Sequence, residues 1–111
     1  MTAAAARPRL IVIDDDPAVL PLIERFARSC RFDVRAYLSA REALAALPDL
    51  HPDAALVDLQ MPELSGIDVL KEIGATEPDC QVILMTGDAT VDTAIEAVKA
   101  CLLYTSDAAD D

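Results

Sequence analysis

The chain has 111 residues, 53% hydrophobic and only 4% aromatic, with 3 glycines, a composition suited to one small, aliphatic-rich globular domain near the lower size limit for a doubly wound sheet. Its 20 acidic residues against 9 basic ones leave a net charge of −11, which repels phosphate backbones and argues against direct nucleic-acid binding by this segment. No apolar stretch reaches membrane-spanning length, residues Met1 to Leu10 lack the hydrophobic segment of a signal peptide, and Cys30, Cys80 and Cys101 have neither zinc-site nor disulfide-framework spacing, so we expect a cytoplasmic location, reduced thiols and no membrane partner.

Residues Arg9-Leu10-Ile11-Val12-Ile13 form an apolar, β-branched run that ends abruptly in Asp14-Asp15-Asp16-Pro17. This reads as strand, acidic turn and helix start, with Asp16 capping free amides and Pro17 at the first helical position, where a missing N–H does no harm. Val19, Ile23, Phe26, Ala27 and Cys30 then mark the buried face of a first helix. Residues Phe32 to Tyr37 alternate charged with apolar side chains, as an edge strand does. Ser39-Ala40-Arg41-Glu42 has the form of a capping box; Ala40, Ala43, Leu44 and Leu47 supply the apolar stripe, and Pro48 is expected to close that helix.

Asp53-Ala54-Ala55-Leu56-Val57 is a short apolar run flanked by Pro52 and Pro62, which favours a buried strand over a helix and leaves Asp58 at its C-terminal end. In open α/β sheets that is where ligand sites lie. Ser65 is placed to cap a third helix carrying Ile67, Leu70 and Ile73, with Gly74 near its end. Gln81 to Met85 reads as a fourth strand ending in Thr86-Gly87-Asp88, and Thr90 as the cap of a fourth helix with Val91, Ala94, Ile95 and Val98 inward. His51 sits in a loop between Pro48 and Pro52 and is expected to be solvated.

Four successive β-α units with short connections predict an α/β fold, a doubly wound parallel sheet with helices on both faces. Strand order 2-1-3-4 sets the first and third strands side by side, about 4.8 Å apart, so that Asp14, Asp15 and Asp58 converge. Two carboxylates about 5 Å apart repel by roughly 3 kcal/mol at an effective dielectric near 20, so three ionised together call for a cation. All-oxygen ligands in a hydrated cleft suit Mg²⁺, which takes one or two carboxylates and keeps waters for a phosphate ligand. Asp58 would then be the nucleophile of a phosphoryl transfer.

The three motifs Ile11-Val12-Ile13-Asp14-Asp15-Asp16-Pro17, Leu56-Val57-Asp58-Leu59-Gln60-Met61-Pro62-Glu63-Leu64-Ser65-Gly66 and Val82-Ile83-Leu84-Met85-Thr86-Gly87-Asp88 together resemble the receiver domain of bacterial response regulators, over residues 9 to 100. The resemblance implies a flavodoxin-like receiver fold and no enzyme activity of its own. It further implies a phosphoryl group accepted by Asp58 from a sensor histidine kinase, Mg²⁺ held by Asp14, Asp15, Asp58 and the backbone carbonyl of Gln60, and Thr86 as the hydroxyl that carries the switch to an output domain absent from this chain. The segment from Met85 to Ala94 most resembles receivers of transcriptional regulators.

The sequence departs from that family after the fourth helix. A receiver continues with a fifth strand ending in Lys-Pro and a fifth helix, whereas the only lysines here, Lys71 and Lys99, lie on predicted helices away from the place of the phosphoryl-binding lysine. Residues 101–111 resemble a translated sequencing adapter, so they are expected to be a non-native tail that supplies no site residue, and residues 1–8 an N-terminal extension. A sheet lacking its last strand is expected to have an open edge on the fourth strand and to associate readily.

Two other classes match parts of the pattern. A phosphorylation-independent, receiver-like interaction module would account for the missing lysine but leaves the acidic trio unused. A haloacid dehalogenase-type phosphatase begins with a strand and Asp-x-Asp, as at Asp14 and Asp16, but leaves Asp58 and its following Met61-Pro62 unexplained.

Overall fold

The computed structural model describes residues 7–59, 64–85 and 95–100. Its elements run β1 (Arg9–Ile13), α1 (Leu20–Ser29), β2 (Asp33–Tyr37), α2 (Ala40–Leu50), β3 (Ala54–Asp58), α3 (Gly66–Thr76) and β4 (Gln81–Met85). Residues 95–100 are helical. The four strands form one parallel sheet in the order β2-β1-β3-β4, so the expected doubly wound arrangement is observed.

Side-chain alternation along each strand divides the core in two. Leu10 and Val12 of β1, Val34 of β2, and Ala54 and Leu56 of β3 face α1, where Leu20, Ile23 and Ala27 meet them together with Ile95 and Val98 from the last described segment. Ile11, Ile13, Ala55 and Val57 point the other way, onto Ala40, Ala43 and Leu47 of α2 and Val69 and Ile73 of α3. All four of β1's apolar residues and Ala54 to Val57 of β3 are buried, as strands covered by helices on both faces must be.

Two helix ends differ from the sequence-based expectation, and a third detail was not fixed by it. The regular part of α1 begins at Leu20, after a turn at residues 17–19, because Pro21 has no N–H to extend the ladder back to the Pro17 carbonyl. Asp16 does cap this turn, its Oδ1 accepting from the Ala18 N–H at 2.9 Å. Pro48 does not close α2; the helix continues to Leu50 and ends where His51 adopts a left-handed conformation (φ 45°) and donates its N–H to the Leu47 carbonyl. So near the end, a proline removes one donor and leaves little helix beyond it to bend. In α3 the buried face is Gly66, Val69 and Ile73, while Ile67 is 44% exposed. The close seating of Gly66 on the end of β3 sets that rotation.

Ser39 and Ser65 cap as expected, their hydroxyls accepting from the N–H of Glu42 at 3.4 Å and of Asp68 at 3.2 Å. His51 is exposed, and its Nδ1 lies 3.2 Å from Glu77 Oε1, linking the ends of α2 and α3. The expected cap at Thr90, the inward Val91 and Ala94, and the tail 101–111 lie outside the described residues.

Candidate functional site

In the β1/β3 register Leu10 lies beside Ala54 and Val12 beside Leu56. Two residues further along each chain come Asp14 and Asp58, which the same parity brings together at the C-terminal end of the sheet. One carboxylate oxygen from each of Asp14, Asp15 and Asp58 lies within 4.8 Å of the others. The convergence expected from strand order is therefore present. Asp14 is buried, Asp58 half-buried and Asp15 exposed, so the cluster grades from core to solvent.

Backbone geometry holds these groups in place. The Asp14 N–H donates to the Tyr37 carbonyl at 3.1 Å, carrying the β1/β2 pairing one residue past the strand. Asp14 Oδ1 accepts from the Asp16 N–H at 3.0 Å, a turn in which an aspartate bonds the backbone two residues on. On the other side, the Leu59 N–H donates to the Met85 carbonyl at 2.9 Å, fixing the chain just beyond Asp58 to the end of β4.

Gly66 is a part of the site that sequence reasoning did not single out. Its N–H donates to the Leu59 carbonyl at 3.2 Å, and a Cβ at this position would lie 2.8 Å from Leu59 Cα and 3.1 Å from the Asp58 carbonyl oxygen. Only a residue without a side chain allows α3 to start so close to the strand end that bears Asp58. A glycine directly after a capping serine is a local hint, but the close approach belongs to the packing.

Burial raises the pKa of Asp14 above the ordinary carboxylate value; the negative charges of Asp58 and Asp15 and a side-chain hydrogen bond with Asp58 push in the same direction, against the lowering effect of the Asp16 N–H. A cation would reverse that balance. Oxygens on opposite sides of one Mg²⁺ at ~2.1 Å are ~4.2 Å apart, so a set spread over no more than 4.8 Å fits such an ion with a small closure, or with two direct carboxylates and a bridging water. The donor chemistry and spacing both suit Mg²⁺.

Gln60 and Thr86, expected from the family resemblance to contribute a carbonyl and a hydroxyl, lie outside the described residues. Lys99 is on the helical segment 95–100, its Nζ 3.3 Å from Glu96 Oε2, and Lys71 is exposed on α3. Cys80 is half-buried, and burial, with Glu77 and Asp53 nearby, pushes its thiol up to about 12, which suits an inert thiol rather than a reactive one.

Comparison with known proteins agrees with this geometry. Residues 10–103 match the family model described as the response regulator receiver domain. The regulatory protein AtoC of Escherichia coli is 37% identical over 91 residues, which are 82% of this chain and 20% of that protein. The transcriptional regulatory protein PrrA of Mycobacterium leprae is 32% identical over 100 residues, 90% of this chain and 43% of the relative. The chain thus spans less than half the length of these curated relatives. Among solved structures, a response regulator receiver domain protein from Clostridium thermocellum superposes with a TM-score of 0.69 at 33% identity, over 84% of this chain and 75% of that one. Parallel strands in the order 2-1-3-4, an acidic trio at their C-terminal ends and a family match over most of the sequence lead to one conclusion: the chain belongs to the response regulator receiver domain family.

Proposed function

We propose that the chain is the phosphoacceptor part of a two-component response regulator and that Asp58 takes the phosphoryl group. The observation that carries this reading is the convergence of Asp58 with Asp14 and Asp15. The donor is the phosphohistidine of a sensor histidine kinase. An Asp58 carboxylate oxygen bonds to phosphorus as the phosphorus–nitrogen bond breaks, the imidazole leaves with the electron pair, and an acyl phosphate remains on Asp58.

Asp14 and Asp15, with Asp58 itself and the Gln60 carbonyl, hold Mg²⁺, which when bound offsets negative charge on the transferred group. Asp14 is the fixed member, buried and tied to the Asp16 N–H, while Asp15 is the exposed member of the cluster. Half-buried Asp58 remains accessible to a donor while the Leu59 and Gly66 bonds hold its backbone still. Thr86 turns toward the phosphoryl group and relays its presence to an output domain in a longer protein. The names of the curated relatives favour transcription regulation as that output. In this reading residues 9–100 carry the receiver, residues 1–8 are an extension, residues 101–111 contribute no site residue, and the protein acts in the cytoplasm.

The test is a time course with acetyl phosphate and Mg²⁺. A receiver incorporates label up to one phosphoryl group per chain and does not turn over p-nitrophenyl phosphate. Sustained release of phosphate from that ester would instead favour an aspartate phosphatase, and label of equal yield in Asp58→Asn would remove Asp58 from its role. The yield in this chain is expected to be low, because neither Lys71 nor Lys99 matches the sequence position that the family resemblance gives to the lysine stabilising charge on the phosphoryl oxygens.

A further inference from the structure

At the N-terminal end of β1 and β2, away from the acidic trio, the charge of the chain reverses locally. A hollow of about 140 Å³ on the α2 face of the sheet is lined by Arg9 of β1 and Arg35 of β2, next to Ile11. A second, of about 290 Å³, lies on the α1 face beside Phe32 and Val34 and is lined by Arg7 and by Arg28 in the last turn of α1. Asp33 borders both hollows, Asp49 borders the first, and Glu24 holds Arg28 at 2.8 Å, so four guanidiniums meet three carboxylates here in a chain whose net charge is −11. The arginines are only partly used. Arg35 pairs with Asp33 at 3.3 Å and Arg9 donates to the Leu50 carbonyl at 2.9 Å, while Arg7 has no ion pair among the described residues. A guanidinium carries five N–H donors, so each keeps some for an anion.

The outer edge of β2 runs between the two hollows, and among the described residues this strand pairs only with β1. The Asp33 N–H donates to the Pro8 carbonyl and the Tyr37 carbonyl accepts from the Asp14 N–H, so residues 33 and 37 both bond toward β1. Because successive residues of a strand direct their amide groups to opposite sides, Val34 and Ala36 present N–H and C=O outward. The Val34 carbonyl lies 3.5 Å from Arg35 Nη1 and has a second lone pair for an incoming N–H.

We infer that this edge binds an extended acidic segment of a partner protein, which adds a strand to β2 at Val34 and Ala36 and sets two successive carboxylate side chains into the two hollows. Successive side chains of a strand point to opposite faces of a sheet, so one carboxylate enters beside Arg9 and Arg35 and the next beside Arg7 and Arg28. In such strand addition the main-chain bonds supply affinity and the side-chain hollows supply selectivity. Asp33 and Arg35 on the strand itself discourage an apolar edge from joining, and the local excess of arginine turns that barrier into a preference for an acidic segment.

The test uses the full chain and two blocked hexapeptides, Val-Thr-Glu-Glu-Thr-Val and the same peptide with both glutamates replaced by glutamine. Titration calorimetry should show saturable binding of the first, about tenfold tighter than of the second and weaker as salt rises. Hydrogen exchange at the Val34 and Ala36 amides, fast in the free chain, should slow as the acidic peptide saturates. Arg7→Gln and Arg35→Gln should each weaken binding about two- to fivefold, the worth of a partly exposed ion pair. If either variant does not fold by circular dichroism, the peptide pair and the wild-type exchange decide alone. Equal affinity for the two peptides, no binding of the acidic one, or binding that leaves exchange at Val34 and Ala36 unchanged would overturn the inference. So would protection of both amides before peptide is added, which would assign the edge to the chain's own residues.

Discussion

Replacing Gly66 by alanine sets a methyl group 2.8 Å from Leu59 Cα, 3.1 Å from the Asp58 carbonyl oxygen and 3.3 Å from Leu59 Cδ1. Non-bonded carbons are at their optimum ~3.5–4.0 Å apart, so the overlap with Leu59 Cα is roughly 0.7–1.2 Å. The nearest two atoms are backbone and belong to the strand end that carries Asp58, so they do not rotate aside. Overpacking of this kind costs about 1–3 kcal/mol, against a gain of about 0.5–1 kcal/mol for exchanging glycine for alanine in a helix. The expected net effect is a destabilisation of about 1 kcal/mol, within a range of roughly 0–2.5 kcal/mol. Gly74 is the internal control: it lies in the same helix with nothing within 4 Å of an added Cβ. Gly74→Ala should therefore stabilise by about 0.5–1 kcal/mol. Urea unfolding of both variants beside the wild type, at unchanged slope, measures the two effects. If Gly66→Ala were as stable as Gly74→Ala, the close approach that fixes the rotation of α3 and the seat of Asp58 would be refuted.

Further outcomes follow from the same geometry. Mg²⁺ titration should show weak, saturable binding that Asp58→Asn weakens; equal affinity in the variant would break the argument from converging carboxylates. The folded-state pKa of Asp14 lies above its unfolded value, so its stabilising contribution is present below the unfolded pKa and lost as pH rises through the folded one. Under chelator, Asp14→Asn should accordingly raise the unfolding midpoint at neutral pH and change it less in acid, and a lowered midpoint at neutral pH would reject this. Cys80, whose thiol is pushed up to about 12, should be alkylated far more slowly in the folded chain than in urea, by as much as about a thousandfold from thiolate population alone. Native and unfolded rates of similar size would show the thiol to be accessible and ionisable after all.

Much of this protein was legible in its sequence because the decisive features are local. Apolar runs bounded by proline and aspartate mark β1 and β3, and the capping serines Ser39 and Ser65 mark the starts of α2 and α3. Strand order then brings Asp14 and Asp58 together, since both continue the parity of their strands. What was not legible depends on how elements meet. The apolar residues Ile67, Leu70 and Ile73 mark α3 in the sequence but not which of its faces is inward; that is set by the seating of Gly66, a contact between residues whose spacing suggests nothing about distance. The start of α1 and the end of α2 turned on which amide each proline removes and on whether a neighbour already closed the helix, as His51 does beyond Pro48. The turn binding Asp14 Oδ1 to the Asp16 N–H was open to sequence reading, because aspartate commonly bonds the backbone two residues on.

The proposed role of Asp58 is tested most directly by mapping the phosphorylated residue. Peptides from the chain incubated with acetyl phosphate and Mg²⁺ should carry the phosphoryl group on Asp58 alone, in an acyl linkage cleaved by hydroxylamine, with no label in Asp58→Asn and none under chelator. Label on any other residue, or label on Asp58 that persists unchanged without a divalent cation, would contradict the proposal that Asp14, Asp15 and Asp58 form one metal-dependent phosphoacceptor site.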